Sequence, residues 1–445
     1  MEPKGPLQQA MLKALPGVLF AAAAGSGVHK RIASVLSTLD LLELRPGPRS
    51  ISNGTCMRRS TERILVSHAG TVPRPVALQD LYAAGESRRG EFLHQLPGAV
   101  REVVEHQARV GIDIVNDGEL SKRNFSHYAR ERLGGLEQPT SAPPSVGDRN
   151  IVARDAREFP EFHARGGGGL MRADIPPPTT TGNVNPTILC TGPLTYIGRD
   201  ATESDIANLK AALEGLDVEA FLPAVAPGTI EHWLYNQHYN SDEELLFAIA
   251  DAMHQEYKLI TDSGLNLQID DPDLADGWQM FPEMSVPEYR TYAELRVEAL
   301  NHALRDIPEQ QVRLHMCWGS GHGPHKNDIP LEHIADLILK VKAQAYSVEA
   351  ANPRHDHEWR VWQSVRLPEG KSLMPGVVGH ATDIIEHPRL VADRLVRYAG
   401  IVGKENVIAG TDCGVGSRVF NAEIAWAKLQ ALAEGARLAS QELWS

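Results

Sequence analysis

The heptapeptide HMCWGSG, residues 315 to 321, places a histidine two positions before a cysteine in a chain that contains only four cysteines. Side chains two apart on a β-strand point to the same face, so His315 and Cys317 would share a face if this segment is a strand. Imidazole nitrogen and thiolate sulfur are ligands that Zn²⁺ prefers. The alternative is a core cysteine beside a histidine at a strand end, and the pair alone does not separate the two.

Two further residues extend this candidate metal site. Cys413 in GTDCGVGSR follows another apolar run, and Glu349 in SVEAANP follows the run between them. One imidazole, two thiolates and one carboxylate would complete a tetrahedral shell. For Glu349, a salt-bridged carboxylate at a strand end stays open as the alternative. We interpret Cys190 as a core residue and assign no role to Cys56.

Short apolar runs alternate along the chain with segments of helical period, which is typical of a βα protein with a parallel sheet. We expect a (β/α)₈ TIM barrel, with a doubly wound open sheet as the main alternative; the sequence has no Gly-rich phosphate-binding turn that would support the latter. A barrel needs eight strands, and we assign AFLPAVAPG to a loop because Pro223 and Pro227 interrupt it. The nine candidate strands are 63–70, 111–119, 187–193, 220–228, 265–272, 312–319, 345–353, 373–380 and 406–414.

The runs end in polar or reactive residues, and the carboxyl ends of barrel strands meet at one mouth where active sites form. Residues 134–186 are rich in Gly, Pro and Thr and predict an excursion or lid between strands two and three. Helical spacing predicts a final helix over 421–444. We expect residues 1–56 to be an N-terminal extension and residues 57–445 to form the barrel domain.

Composition favours small-molecule chemistry. With 57 acidic against 44 basic residues, the net charge of −13 argues against a nucleic-acid partner, which would require clustered Lys and Arg. No run approaches the roughly 18 apolar residues of a membrane span. Four scattered cysteines indicate a reducing, cytoplasmic compartment rather than a disulfide framework. The oligomeric state is left open.

The order of these motifs, TGP, QIDDP, His-x-Cys, Glu and then DCG, resembles the zinc barrel of cobalamin-independent methionine synthases. The resemblance spans roughly residues 60 to 440 and points to a single-barrel relative. It implies that Zn²⁺ is bound by four residues that match the family pattern, His315, Cys317, Glu349 and Cys413.

The same resemblance implies substrate-binding residues. Gly70 and Thr71 in HAGTVPRP stand where the family contacts the amino-acid carboxylate, and Glu119 and Asp270 stand where it binds the amino group. Two carboxylates around a desolvated ammonium are physically reasonable. The alternative is that these acids hold basic side chains in an ion network at the strand ends.

Two departures from the family pattern affect the chemistry. The Trp that stacks on the pterin is missing after TGP, where Arg199 stands nearby, so the folate donor is in doubt. The family's catalytic histidine is matched by His380 one position early. We take His380 or Asp271 as the acid that protonates the leaving group.

The expected function is zinc-dependent transfer of a methyl group from a small-molecule donor to a thiol such as homocysteine. The runner-up is epoxyalkane:coenzyme M transfer, which uses similar thiolate chemistry and would need Arg74 or Arg199 for the sulfonate. A non-catalytic zinc protein and a hydrolase built on His355 and His357 are further alternatives; for that histidine pair we favour a solvated polar loop.

Overall fold

We analysed a computed structural model of the chain, which describes residues 57–122, 125–138, 153–164, 188–319, 321–416, 419 and 421–445. The predicted extension 1–56, with Cys56, lies outside the described residues. So does most of the predicted excursion 134–186, of which the structure describes 134–138 and 153–164.

Within the described residues, eight parallel strands form one sheet that curves into a nearly closed barrel, which confirms the predicted (β/α)₈ fold. A backbone hydrogen bond of 2.9 Å from Asp113 N to Val66 O joins the two edges. The barrel strands are β1 Leu65–Val66, β2 Ile114–Val115, β5 Glu219–Val225, β7 Asn266–Asp270, β8 Val312–Met316, β9 Ala345–Glu349, β10 Ser372–Val378 and β11 Ile408–Thr411.

The assignment of AFLPAVAPG to a loop was wrong, because residues 219–225 form the third barrel strand, β5. Strand β2 pairs with β5 only at Glu219 and Ala220, so Pro223 lies beyond the paired stretch on that side and its missing N–H leaves no gap there. The surplus run is TILCTGP, which belongs to a small separate sheet. That sheet contains β3 Leu133–Glu137, β4 Ile188–Tyr196 and β6 Leu234–Asn236.

Helices surround the barrel and cover its apolar outer face. The predicted last helix is confirmed at Ala422–Leu443, and Asn421 caps it by accepting hydrogen bonds from the first-turn N–H groups of Glu423 and Ile424. The other α-helices are α1 Val76–Ala83, α2 Arg89–Val110, α3 Phe125–Glu131, α4 Arg154–Glu158, α5 Pro160–Ala164, α6 Arg199–Ala212, α7 Pro227–Glu231, α8 Asp242–Asp262, α9 Asp273–Met280, α10 Val286–Ala303, α11 Ala335–Ile338 and α12 Pro388–Val402, so the last is α13.

Short 3₁₀ turns connect several of these elements, at Gly85–Arg88, Glu309–Gln311, Leu331–His333, Asp356–Gln363 and Lys404–Asn406. None of the described helices combines the length and the apolar character that crossing a bilayer requires.

The inside of the barrel contains a buried cation, Arg313 of β8. Its guanidinium lies 3.4 Å from the ring centroid of Phe221 and donates to Ser67 Oγ at 2.7 Å and to His68 O at 2.6 Å. A third bond of 2.7 Å runs from Arg313 Nε to Oε1 of Gln268. Strands β1, β7 and β8 are thereby tied together, which fixes their carboxyl ends relative to one another.

Candidate metal centre and substrate site

The structure brings His315, Cys317 and Cys413 together at the barrel mouth. One ligand atom from each lies within 4.8 Å of the others, and all three belong to the ends of β8 and β11 or the residues that follow them. His315 and Cys317 are buried, as expected for side chains that face the barrel axis. The predicted convergence of separate strand ends is therefore present for three of the four proposed ligands.

The imidazole of His315 is oriented by a neighbour that the sequence reasoning missed. Ser347 lies opposite His315 in the β8–β9 register, and its Oγ is 3.1 Å from His315 Nδ1. The other ring nitrogen, Nε2, is buried without a hydrogen-bond partner among the described residues. A histidine held at one nitrogen, with the other buried and unpartnered, is well suited to bind a metal.

Glu349 ends β9 at the same mouth and outside the 4.8 Å group. Its carboxylate interacts electrostatically with the thiols of both Cys317 and Cys413. Burial raises the pKa of Glu349 well above its usual range, and Asp412 raises it further. Oε1 of Glu349 is buried with no hydrogen-bond partner, whereas Oε2 accepts from Asn352 Nδ2 at 3.3 Å.

The two thiols differ in acidity. A hydrogen bond from Cys317 lowers the pKa of Cys413 well below its usual value, and donating that bond raises the pKa of Cys317. Burial lowers the pKa of His315, but the sulfur of Cys413 and the charge of Asp270 together raise it above its usual value. His315 and Glu349 each have one buried ligand atom without a hydrogen-bond partner among the described residues. Together with the two thiols they form a donor set that fits Zn²⁺, the predicted cofactor.

Asp412 is a supporting residue that the sequence reasoning missed. Its Oδ1 accepts backbone hydrogen bonds from Ala350 at 2.7 Å and Ala351 at 2.9 Å. This fixes the chain directly after Glu349. The signal was available, since Asp412 precedes Cys413 in the TDCG motif, but its partner could not be identified without the fold.

The predicted substrate-binding residues at the ends of β1 and β2 also meet. Thr71 Oγ1 donates to Glu119 Oε1 at 3.1 Å, and a Cβ atom on Gly70 would lie 2.5 Å from the same oxygen. Glu119 has a backbone φ of 57°, a conformation that residues other than glycine rarely adopt. Burial raises its pKa.

Asp270 completes this acidic pair at the end of β7. Gln268 Nε2 donates to Asp270 Oδ1 at 2.6 Å and to Ala69 O at 3.1 Å, while its own Oε1 accepts from Arg313. Burial raises the pKa of Asp270 to about 7, and the charge of Glu119 adds to this shift. Gln268 and Arg313 were missed, although each precedes a predicted site residue by two positions on the same strand face.

The two predicted proton donors lie in different surroundings. His380 is buried just after β10, and its charge lowers the pKa of Cys413. Asp271 points to another group, where its Oδ1 accepts from Thr229 at 3.2 Å and the charge of Asp273 adds to burial in raising its pKa to about 8. Of the two, His380 is the one that interacts electrostatically with a thiol of the metal centre.

The structure separates His355 from His357. His355 is buried between Asp328 and Glu358, whereas His357 is exposed, so the two do not form one site. The prediction that this pair lies on a solvated loop is therefore wrong for His355. Cys190 is buried in the small sheet, as predicted.

The chain is similar to known proteins in both sequence and fold. Residues 222–437 match the sequence model described as the catalytic domain of the cobalamin-independent synthase, a range that contains all four proposed metal ligands. The methionine synthases of Thermococcus kodakarensis and Saccharolobus solfataricus are 22% and 23% identical over 380 residues, covering 84% of this chain and 93% and 94% of theirs.

Two solved structures share the fold. A B12-independent methionine synthase from Shewanella sp. W3-18-1, in complex with selenomethionine, aligns with a TM-score of 0.61 at 22% identity and covers 86% of this chain and 99% of its own. A putative vitamin-B12-independent methionine synthase from Listeria monocytogenes aligns with a TM-score of 0.57 at 18% identity, with the same coverage. Residues 222–437 of the chain are therefore assigned to the cobalamin-independent synthase family.

Proposed function

We propose that this protein transfers a methyl group to the thiol of homocysteine without cobalamin. The observation that carries the proposal is the meeting of His315, Cys317 and Cys413 within 4.8 Å at the barrel mouth, within the part of the chain assigned to this family. The curated relatives named above are methionine synthases, which supports homocysteine as the acceptor.

We infer that the cofactor is Zn²⁺, held by His315, Cys317, Cys413 and Glu349. The buried, unpartnered Nε2 of His315 and Oε1 of Glu349 support the inclusion of both residues. When bound, Zn²⁺ would lower the pKa of the substrate thiol so that the sulfur is a thiolate at neutral pH. Ser347 and Asn352 orient two of the four ligands.

The remaining mouth residues would bind the amino acid. Glu119 and Asp270 interact electrostatically, and both have raised pKa values because they are buried. An ammonium placed beside them would favour their charged forms and offset the cost of burying them. Gly70 leaves space next to Glu119, and the neighbouring Thr71 supplies a hydroxyl for the polar end of the substrate.

His380 would supply the proton that a departing nitrogen needs, as in a methyl-folate donor; a sulfonium donor leaves as a neutral thioether and needs no proton. Attack by the substrate sulfur forms the new carbon–sulfur bond while the bond from the methyl carbon to the donor breaks, and the electron pair remains on the donor atom. A histidine is the side chain whose unperturbed pKa best suits such a transfer near neutral pH. Asp271, whose carboxylate accepts a hydrogen bond from Thr229, is the alternative donor.

The runner-up, thiol alkylation on coenzyme M, finds no support. A sulfonate would need a cation at the mouth, and the two candidate arginines have other partners. Arg74 donates to the carbonyl oxygens of Leu120 and Lys122, and Arg199 lies exposed in an ion pair with Glu203. Two carboxylates at the mouth suit an ammonium instead.

The test is formation of methionine by the full-length, zinc-loaded protein from homocysteine and a methyl donor with a deuterated methyl group. The donors are 5-methyltetrahydrofolate and, because the pterin-stacking Trp is missing, S-methylmethionine as a simpler methylated compound. Mass spectrometry follows the label. We expect labelled methionine with at least one donor.

Two cysteine variants make the test specific. Cys413→Ser should lower the rate on the order of a thousand-fold, since losing several kcal/mol of electrostatic stabilisation has that effect. Cys190→Ser is the control, because that thiol is in the small sheet and donates to Gly192 O, a bond that a serine hydroxyl can keep. If neither donor yields methionine while coenzyme M is alkylated by epoxypropane, the proposal is wrong and the runner-up replaces it.

A further inference from the structure

A second group of metal-ligating side chains lies outside the site described above. His325 and Asp328 belong to the chain segment after β8, and His355 belongs to the segment after β9. One ligand atom of each lies within 4.8 Å of the others. Neither the methyl-transfer chemistry nor the family motifs make use of these three residues.

Each histidine directs one nitrogen to the shared carboxylate and has the other nitrogen fixed. Nδ1 of His325 is 2.6 Å from Asp328 Oδ2, and its Nε2 is 3.0 Å from the carbonyl oxygen of Gly321. Nε2 of His355 is 3.1 Å from the same Asp328 oxygen, and its Nδ1 is 2.9 Å from Glu358 Oε2. Metal-binding histidines typically have their second nitrogen held in this way by a carboxylate or a backbone carbonyl.

Asp328, the third residue of the group, is also held by a hydrogen bond from a neighbouring side chain. Oδ1 of Asp328 accepts from Gln279 Nε2 at 2.8 Å, which leaves Oδ2 directed at the two imidazoles. Asp328 and His355 are buried. The ring of His355 stacks on Trp318 with centroids 3.7 Å apart, and Trp318 Nε1 donates to Ile329 O at 2.8 Å. These contacts hold the side chains of the group in place.

We propose that His325, Asp328 and His355 bind a divalent transition-metal ion, separate from the one at the cysteine site. Two imidazoles and one carboxylate are a common ligand set for Zn²⁺ and Fe²⁺, and a three-residue set leaves coordination positions for water or a small molecule. The carboxyl of Asp276 also interacts electrostatically with both His325 and Asp328.

The competing explanation is an ion network without metal. In that case both histidines would carry a proton on each nitrogen and pair with Asp328 and Glu358. The two explanations make different predictions about metal binding. The ion network would take up no metal, whereas the proposed site would bind a metal ion even when the cysteine site is disabled by substitution.

Cobalt substitution distinguishes them, because thiolate ligands give Co²⁺ an intense charge-transfer band that nitrogen and oxygen ligands lack. Apo-protein is titrated with Co²⁺, and bound metal is counted after gel filtration. We expect about two equivalents per chain, only one of which adds thiolate absorption. Cys317→Ser should remove the absorbing equivalent and keep the other.

The complementary variants are His325→Gln and His355→Gln, which should remove the weakly absorbing equivalent alone. Glu358→Gln should weaken that equivalent by about 10- to 100-fold, as loss of an orienting partner does. The control is His357→Gln, an exposed histidine two residues from His355. His325 lies in a partly exposed loop, so its variant should fold even if the buried His355 variant does not.

The proposal is overturned if Cys317→Ser binds no cobalt, or if His325→Gln binds as much as His357→Gln. Because the readout is bound metal, neither outcome depends on which thiol the protein methylates.

Discussion

Thr71 and Glu119 join the ends of the first two barrel strands through a hydrogen bond of 3.1 Å from Oγ1 to Oε1. This hydrogen bond holds the Glu119 carboxylate at the mouth. The backbone of Glu119 has a φ of 57°. Such strain persists where surrounding contacts maintain it, and it is common at binding sites. The relationship leads directly to two predictions about the amino-acid site.

Glu119→Gln should raise KM for homocysteine and lower kcat/KM by about 10- to 100-fold. A hydrogen bond to a charged group contributes about 1.5–3 kcal/mol, and the amide cannot neutralise an ammonium. Steady-state kinetics with purified protein measure the effect. Glu102→Gln, on the exposed face of α2, is the matched control and should behave as wild type. An unchanged KM in Glu119→Gln would remove this residue from the substrate site.

Gly70→Ala should weaken homocysteine binding by about tenfold or more, since a contact of 2.5 Å with Glu119 Oε1 forces the carboxylate to move at a cost on the order of 1–3 kcal/mol. The control is Gly85→Ala, also at positive φ, where an added Cβ meets no atom within 4 Å. KM and urea unfolding are measured on both. Equal loss of activity in the two variants would mean that backbone strain, and not the contact with Glu119, is responsible.

His380→Gln should lower kcat by about 10²- to 10⁴-fold, the range typical of a lost general acid, with little change in KM or bound zinc. The loss should shrink when the methyl donor has a better leaving group, which a purely structural role would not produce. His357→Gln serves as control. If His380→Gln keeps its kcat and Asp271→Asn loses it, the acid is Asp271.

These residues show how far sequence reasoning reaches. Period-two alternation placed His315 and Cys317 on one face, and the rule that barrel sites form at the carboxyl ends of strands brought Cys413 to them. The strand assignment was wrong at Pro223. A proline is tolerated in β5 because the neighbouring strand β2 is too short to pair with it, and the sequence does not reveal the length of β2. Arg313, Gln268 and Ser347 were missed because polar residues within apolar runs give no indication of their partners.

The group of His325, Asp328 and His355 was beyond prediction for another reason. His355 and Asp328 are 27 positions apart on segments after different strands, and their meeting depends on loop conformation. His325 itself has a φ of 52°. Sequence periodicity predicts which residues helices and strands bring together, but it does not predict the conformation of loops such as these.

His68 gives a prediction about stability. Its Nε2 is 2.7 Å from Gln107 Oε1 and its Nδ1 accepts from Gly70 N at 3.3 Å, an arrangement that requires the neutral ring. Burial lowers its pKa from 6.5 to about 4. The unfolded chain therefore binds a proton first as the pH falls through 6.5, and stability is lost progressively until about pH 4.

Between pH 7 and pH 4, this residue should decrease the free energy of unfolding by about 3 kcal/mol, a loss that His68→Gln should not show. Urea titrations of both proteins at each pH give the difference. Parallel pH dependence in the two proteins would show that His68 is not held neutral in the folded state.

The central claim is that a substrate thiol joins a zinc centre built from His315, Cys317, Cys413 and Glu349. The most direct measurement is the zinc-edge X-ray absorption spectrum of the purified protein before and after adding homocysteine. We predict two sulfur ligands at about 2.3 Å in the free protein, from the two cysteines, and three in the presence of homocysteine. A shell that contains no cysteine sulfur, or one that homocysteine leaves unchanged, would contradict the account.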